Sequence, residues 1–363
     1  MKPISVLIDL DRLKDLNTGL GQVAEFFGDE ISKIKDENFR FTLLVPAKFK
    51  GYFGNSVDYE VVSLKRRYFP SLCRKYDLWY TIHQDSAYFP SDRRTPFILT
   101  INDLNFLGEK SPAKAKARLK ILQKKVDRAT VITVISKFTE HAVRENLNVG
   151  AIPIQVIYCG VKVKTFENVQ KPTFAPEGDL LFSVGVVRMK KNYHVLIEFI
   201  KLLPEKYKLI IAGNKTGAYA EELQQKIDVQ GLHDRILITG LISEEDKFWM
   251  YNNCKAVLFP SKFEGMGFPP VEAMRFGKPV FASTYSSIPE VSEDKAYYWE
   301  TFDPEEMSSF FLRKIEEFYM DPSRPEILRQ HSQKFTWEVN VKSYLELFRK
   351  LSDTIWHFTK IKS

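Results

Sequence analysis

SKFEGMGFPPVE, residues 261–272, joins a β-rich run to a helical one. The run before it, AVLFPS (256–261), is short and apolar, which predicts a buried strand. Gly265 and Gly267 lie in the loop that follows, where the lack of a Cβ lets the backbone approach a ligand closely. A helix is expected to begin near Pro269 and Pro270, because proline fits the first helical position, where its missing N–H is no loss. Gly277 and Pro279 supply its stop. The free amides of such a helix start are a ready site for a diphosphate. Glu272 is placed in the first turn, able to reach a ribose diol, and Glu264 on the loop is able to hold sugar hydroxyls. The plainer reading makes Glu264 a solvated loop residue and Glu272 a simple first-turn acid.

Around this stretch the second half of the chain alternates strand and helix patterns. DLLFSVG (179–185), a helix near His194 to Leu203, YKLIIAG (207–213) and a helix near Tyr219 to Ile227 come first. ILITG (236–240), the helix EEDKFWMYNNC, AVLFPS, the helix PVEAMRFG and PVFAS (279–283) follow. The first half shows the same alternation: ISVLID, a glycine-containing loop, a helix from about Val23 to Ile34, then FTLLVP (41–46). YEVVSL (59–64), LWYTI (78–82), FILTIND (97–103), TVITVIS (130–136) and QVIYCGV (155–161) continue it. Compact β-branched runs between helices predict mostly parallel sheets covered on both faces, an α/β fold built twice. The expected division is 1–166, a polar proline-bearing linker at 167–178, 179–336, and a helical segment 337–363 that packs back onto the first domain across a cleft. Open α/β sheets bind ligands beyond the carboxyl ends of their strands, so the active site is expected between the two domains.

Two further stretches carry chemistry. FSVGVVRMKKN (182–192) sets Gly185 and the cations Arg188, Lys190 and Lys191 after a strand, where positive charge can offset the charge growing on a departing diphosphate. A solvated charge run is the alternative. NTGLGQ (17–22) follows the first strand, and its Gly19 and Gly21 form either a close-approach loop or a plain turn.

E-G-M-G-F-P-P-V-E, with AVLFPS before it and EAMRFGKPVFAS and SSIPEV after it, resembles the signature of the retaining glycosyltransferases of family 4, which adopt the GT-B fold of two Rossmann-like domains. The resemblance covers nearly the whole chain and is more specific in its C-terminal half. It implies that Glu264 touches the donor sugar and Glu272 the nucleotide ribose. The backbone amides of Gly265, Met266, Gly267 and Phe268 would then meet the sugar or the diphosphate. FSVGVVRMKKN is similar to the family's G-T-L-x-P-R-K-N, which gives the donor phosphates to Lys191 with Arg188 or Lys190 assisting. NTGLGQ resembles a loop lying under the diphosphate, with Gln22 where arginine is usual. VITVISKFTEHAV (131–143) and QVIYCGVKVKTF (155–166) match further segments, with Ser136 expected to cap a helix. The nucleobase is assigned to 240–246, with Gly213 and Asn214 beside it. At Asn102–Asp103–Leu104 the family often has a histidine in place of Asn102, and asparagine cannot carry a proton. Asn102 in the catalytic cleft therefore fits the front-face route, in which the leaving phosphate deprotonates the acceptor. His83 is read either as a cleft residue or as a structural one.

The chain has 363 residues and is 44% apolar and 27% charged, the balance of a globular protein. The N-terminal run predicts a first strand, Ile4 to Leu10, rather than a leader, and no run is long enough for a membrane span, so a cytoplasmic protein is expected. Cys73, Cys159 and Cys254 suggest neither a disulfide framework nor a metal knuckle. Asp9 and Asp11 form a D-x-D, the metal grip of a different glycosyltransferase architecture, but they sit too early for it; no metal is expected. Between Lys110 and Arg128 there are eight Lys or Arg residues against Asp127 alone, on a rough helical period. That face suits anionic lipid at the inner face of the membrane, or an anionic glycolipid, or simply solvent. No nucleic-acid reading motif accompanies the charge. The function expected is transfer of a hexose, with mannose the first guess, from a GDP- or UDP-sugar to a glycan or lipid-linked glycan in cell-surface polysaccharide or lipopolysaccharide assembly. A sugar-nucleotide epimerase and a non-catalytic sugar-nucleotide-binding subunit are the competing readings.

Overall fold

The computed structural model describes residues 3–16, 18–69, 71 and 73–360, with side chains through 353; Asn17 of NTGLGQ lies outside the described residues. The chain divides into two compact units, one formed by Met1–Gly160 with Phe335–Ser363, the other by Val161–Lys334.

The first unit runs β1 (Ile4–Asp9), α1 (Gly19–Ser32), β2 (Phe39–Val45), β3 (Asp58–Val61), α2 (Leu64–Tyr68), β4 (Leu78–Thr81) and β5 (Phe97–Ile101). It continues with α3 (Phe106–Glu109), α4 (Pro112–Val126), β6 (Val131–Val134), α5 (Lys137–Asn146) and β7 (Ile154–Val156). The strands pair in parallel in the order β3-β2-β1-β4-β5-β6-β7. Because successive side chains of a strand point to opposite faces, Leu7, Leu44, Trp79, Leu99 and Val134 pack with Ala115, Leu122 and Val126 of α4 on one side. Ser136 caps α5, accepting the Thr139 N–H at 3.1 Å, as its position after a strand predicts.

The second unit runs β8 (Asp179–Val184), α6 (Val195–Leu202), β9 (Tyr207–Ala212), α7 (Ala218–Val229), β10 (Ile236–Gly240), α8 (Glu244–Asn253) and β11 (Ala256–Phe259). Then come α9 (Phe268–Arg275), β12 (Val280–Ser283), α10 (Ile288–Ser292), β13 (Tyr297–Trp299), α11 (Pro304–Met320) and α12 (Arg324–Ser332). Its parallel sheet has the order β10-β9-β8-β11-β12-β13. Leu181, Leu209, Ile211 and Leu258 face α6, α7 and α11 in one core, while Phe182, Ile210, Val257 and Phe259 face α8, α9 and α12 in another. Burial on both faces explains why these strands are continuously apolar instead of alternating.

The last helix, α13 (Trp337–Lys360), belongs to the first unit. It covers the sheet face opposite α4: Tyr344 lies 4.4 Å from the Tyr80 ring centroid, and Phe348 5.8 Å from it. The Tyr344 hydroxyl shares hydrogen bonds of 3.1 Å with both Thr100 and Thr133, so these three buried hydroxyls are paired with one another. The strand expected over 155–161 ends at Val156, because Tyr158 turns onto this segment. The Tyr158 carbonyl accepts from Asn340 Nδ2 at 2.7 Å, and its ring meets Phe335 at 5.5 Å.

Candidate active site

In both sheets the chain reverses its direction of growth at the first strand of the unit, between β1 and β4 and between β8 and β11. Ligands of such sheets bind beyond the carboxyl ends of the strands at that reversal. In the second unit the loops leaving β8 and β11 carry the predicted donor residues.

Lys191 Nζ donates to Glu264 Oε1 at 2.6 Å, and Ser261 Oγ donates to the same oxygen at 2.6 Å. The ammonium also stands 4.8 Å from the Phe259 ring centroid, so an apolar wall backs the pair. Both side chains are largely buried, with 10% and 14% of their surface exposed, which strengthens their attraction over that of a surface pair. The backbone beneath them is tied as well, with the Lys262 N–H donating to the Lys190 carbonyl at 2.8 Å. Ser286 accepts from the Glu264 amide at 3.1 Å, and Ser287 donates to the Glu264 carbonyl at 3.1 Å. Ser286 reaches that amide from a left-handed backbone, φ +56°, a conformation non-glycine residues adopt at a cost. Asn192, directly after Lys191, is also left-handed, φ +59°, and fully buried. Ser261, Ser286 and Ser287 stand in stretches the sequence singles out, but nothing in their spacing separates them from other loop serines.

Gly185 and Gly213 both have positive φ, and a Cβ on Gly213 would lie 2.0 Å from the Gly185 carbonyl oxygen. These glycines are required first by the contact between the loops leaving β8 and β9. The Gly213 N–H donates to the Gly240 carbonyl at 2.8 Å, which ties in the loop after β10. Arg188 is exposed and directly precedes a short 3-10 turn over Met189–Lys191, whose middle residue, Lys190, is half-buried.

Glu272 corrects the sequence reading. Gly267, at φ +81°, starts α9 at Phe268, so Glu272 is the fifth helical residue and lies in the second turn, not the first. The helix dipole acts mainly over the first turn, so it contributes little at Glu272. Its carboxylate is held instead by Tyr251, whose hydroxyl donates to Oε2 at 2.5 Å, with Lys247 Nζ 4.0 Å from Oε1. Met266 is buried, 1% exposed, while Gly265 and Phe268 are half-buried. Tyr251 and Lys247 were not expected; they are four residues apart on one face of α8, in a helix noted only for its pattern.

In the first unit the glycine stretch is not a loop. Thr18 caps α1 by accepting the Gly21 N–H at 3.1 Å, so Gly19 and Gly21 form its first turn, four residues before the expected start. A Cβ at Gly21 would lie 2.1 Å from the Asp15 carbonyl, which makes glycine obligatory there for packing. Asn102 stands at the end of β5, 4% exposed, with Nδ2 donating to the Ile82 carbonyl at 3.0 Å. His83 is fully buried: Nε2 lies 2.7 Å from Asp11 Oδ1, and Nδ1 accepts the Asp85 N–H at 3.1 Å. With both nitrogens engaged it is a structural histidine, and burial lowers its pKa, opposed by the bond to Asp11. Asp9 is enclosed by Ser86 and by the Asp11 N–H at 3.0 Å, and burial, then the Asp11 charge, push its pKa well up.

The basic segment is also more divided than its pattern suggests. Lys125 Nζ donates to the Gln84 and Ser86 carbonyls at 2.5 and 2.7 Å, Arg118 pairs with Asp85, and Arg128 binds the Thr95 carbonyl at 3.0 Å. These three cations tether loops; Lys110, Lys114, Lys116, Lys120 and Lys124 are the exposed ones. Among the described residues no group of three or more His, Cys, Asp or Glu is placed to hold a metal, and no helix is long and apolar enough to cross a membrane. The three cysteines are free thiols, and burial raises Cys159 and Cys254 to about 12.

Two parallel sheets with helices on both faces, and a Lys–Glu pair at the reversal of the second, define a GT-B fold. The chain belongs to the glycosyl transferases group 1, whose family model matches residues 164–353. It is similar to the serotype-specific mannosyltransferase WbdA of Escherichia coli, 29% identical over 192 residues, 50% of this chain and 23% of that one. The O-antigen chain mannosyltransferase B of Escherichia coli is 26% identical over 71% of each chain. The chain thus spans about a quarter of the first of these relatives. Among solved structures, Anabaena Alr3699/HepE in complex with UDP-glucose superposes with a TM-score of 0.73 at 19% identity, over 96% of this chain and 100% of that one.

Proposed function

We propose that this chain transfers a hexose, with retention of configuration, from a nucleoside-diphosphate sugar to a glycan or glycolipid acceptor. The single observation that carries the reading is the Lys191–Glu264 pair at the strand-order reversal of the second unit. A cation and a hydroxyl-binding carboxylate within one hydrogen bond of each other suit the junction of a sugar and a diphosphate. Lys191, assisted by Arg188 and Lys190, offsets the charge that grows on the β-phosphate as the bond to the anomeric carbon breaks. The amides of Gly265 to Phe268 face the same diphosphate, Glu264 holds sugar hydroxyls and Glu272 the ribose. The acceptor oxygen bonds to the anomeric carbon on the face the phosphate leaves, and its proton passes to the departing phosphate oxygen. No side-chain base is required, in keeping with Asn102 and with the engaged nitrogens of His83. The fixed cations and amides supply the countercharge, and the reading includes no resident metal.

Mannose is the donor sugar we favour, because the two relatives quoted are named mannosyltransferases. Cell-surface polysaccharide or lipopolysaccharide is the assembly we favour. The exposed lysines of α4 are proposed to meet an anionic membrane or a lipid-linked acceptor there. The test is incubation with GDP-mannose, UDP-glucose and related donors, followed by anomeric analysis of any product. Transfer or slow hydrolysis is expected; an epimerised donor, or tight binding with no turnover, would overturn the reading. Lys191→Ala is expected to lower turnover on the order of 100-fold, the scale of removing one preorganised countercharge. Near-wild-type kinetics would remove Lys191 from the site.

A further inference from the structure

We propose that Tyr251 is a positioning residue for donor recognition, holding the Glu272 carboxylate in the orientation that reads a ribose diol; this rests on the assignment of Glu272 to the ribose made above. Tyr251 is fully buried on α8. Its ring is stacked on Phe276, centroids 5.3 Å apart at 13°, and meets Phe182 edge-on at 5.2 Å and 83°. Two aromatic partners at nearly perpendicular attitudes fix the ring plane, so the hydroxyl has one place to go. That place is Glu272 Oε2, 2.5 Å away.

Burial, reinforced by the Glu272 charge, holds the phenol well above its ordinary range, so it remains a hydrogen-bond donor at any working pH. One turn earlier on the same face of α8, Lys247 Nζ lies 4.0 Å from Oε1 and 3.0 Å from Glu244 Oε2. Burial opposes the Lys247 charge, yet Glu272 and Glu244 keep its pKa above the usual lysine value. Glu272 is thereby held at one oxygen by a rigid donor and screened at the other by a cation. A carboxylate offers about four lone-pair positions, and Tyr251 takes one, which leaves both oxygens able to accept from a vicinal diol. Because the side chain is already oriented, the ligand does not have to freeze it, which is the source of an affinity gain by preorganisation. A merely structural Tyr251 would instead affect stability and leave ribose recognition unmoved.

The measurement is calorimetric titration of the full chain with UDP and 2′-deoxy-UDP, and with GDP and 2′-deoxy-GDP. For the base that binds, the wild type is expected to prefer the ribose form about tenfold or more, the worth of one hydrogen bond to a charged group. Glu272→Gln should bring that ratio close to one. Tyr251→Phe, which keeps the ring in its aromatic seat, should cut the ratio about threefold or more while hardly changing affinity for the deoxy form. In a Glu272→Gln background it should change nothing further. A wild-type ratio retained by Tyr251→Phe but lost in Glu272→Gln overturns the proposal and leaves the ribose assignment standing. A ratio retained by Glu272→Gln, or no preference or binding in the wild type, overturns both. If Tyr251→Phe does not fold, Glu272→Asp tests the same contact. It keeps the charge but draws the carboxylate back from Tyr251, and an undiminished ratio overturns the proposal.

Discussion

Asp9 ends β1 with no exposed surface, and the residues around it explain both its charge state and its use. Burial, and then the neighbouring Asp11, raise its pKa well above the aspartate value, against the lowering pull of Ser86 and the Asp11 amide. A group whose folded pKa is raised favours folding while it is protonated, and that contribution is lost as pH rises through the folded value. Asp9→Asn keeps an acceptor for the Asp11 N–H and removes the charge. It should therefore leave stability near wild type in acid and exceed it increasingly at higher pH. The gap should widen by up to about 1.4 kcal/mol per pH unit between the ordinary aspartate value, about 3.9, and the raised folded value, and level off above it, read from urea unfolding at pH 5 and pH 8. An unchanged difference between the two pH values would refute the raised pKa. His83 behaves oppositely: burial lowers its pKa, so its contribution is present above about pH 6.5 and fades as pH falls. At this scale the sequence singled out Lys191, Glu264 and Glu272, and short loops between strand and helix bring Lys191 and Glu264 within one hydrogen bond. It did not indicate Ser261 or Tyr251, which meet those carboxylates through hydrogen bonds 3 and 21 residues away along the chain.

The helices are where sequence rules and packing divide the work. In α8, Ser243 accepts the Asp246 N–H at 3.0 Å and donates its own N–H to the Asp246 carboxylate at 3.3 Å, a complete capping box. Ser243→Ala should cost about 1 kcal/mol of stability in chemical unfolding; a loss below ~0.3 kcal/mol would mean that packing alone holds the helix start. In α9 the paired prolines marked a helix start correctly, but Gly267 rather than proline chooses the first residue. Its left-handed backbone turns the loop into the helix, and that moved Glu272 out of the first turn. Gly267→Ala meets no atom closer than 3.7 Å, so its expected cost of about 1–2 kcal/mol comes from the backbone conformation. The same distinction separates the glycines of α1. Their G-x-G spacing resembles a ligand-approach loop, whereas the structure spends Gly21 on contact with its own Asp15 carbonyl.

The second unit is one continuous segment, whereas the first is assembled from both ends of the chain. A fragment 161–334 retains helices on both faces of its sheet and should unfold cooperatively on its own, checked by circular dichroism and chemical-shift dispersion. Residues 1–160 alone lack α13, leaving Phe27 and Tyr80 without Tyr344 and Phe348, and the hydroxyls of Thr100 and Thr133 without the Tyr344 partner. That fragment should be aggregation-prone and regain solubility when 335–363 is supplied in trans. Equal behaviour of the two fragments would refute this division. By itself the sequence determined the α/β class, the repeated strand–helix order and the family, because these rest on local periodicity and on motifs contained within about twelve residues. Only the tertiary structure decided which strand faces which helix, and that Glu272 is held by Tyr251. Each of those is a contact between residues distant in sequence, set by side-chain shape and by the cost of leaving a buried polar atom unpaired. The stretch 261–272 shows both: its order predicted a donor site, and partners from α8 and from the loops after β8 and β12 set its geometry.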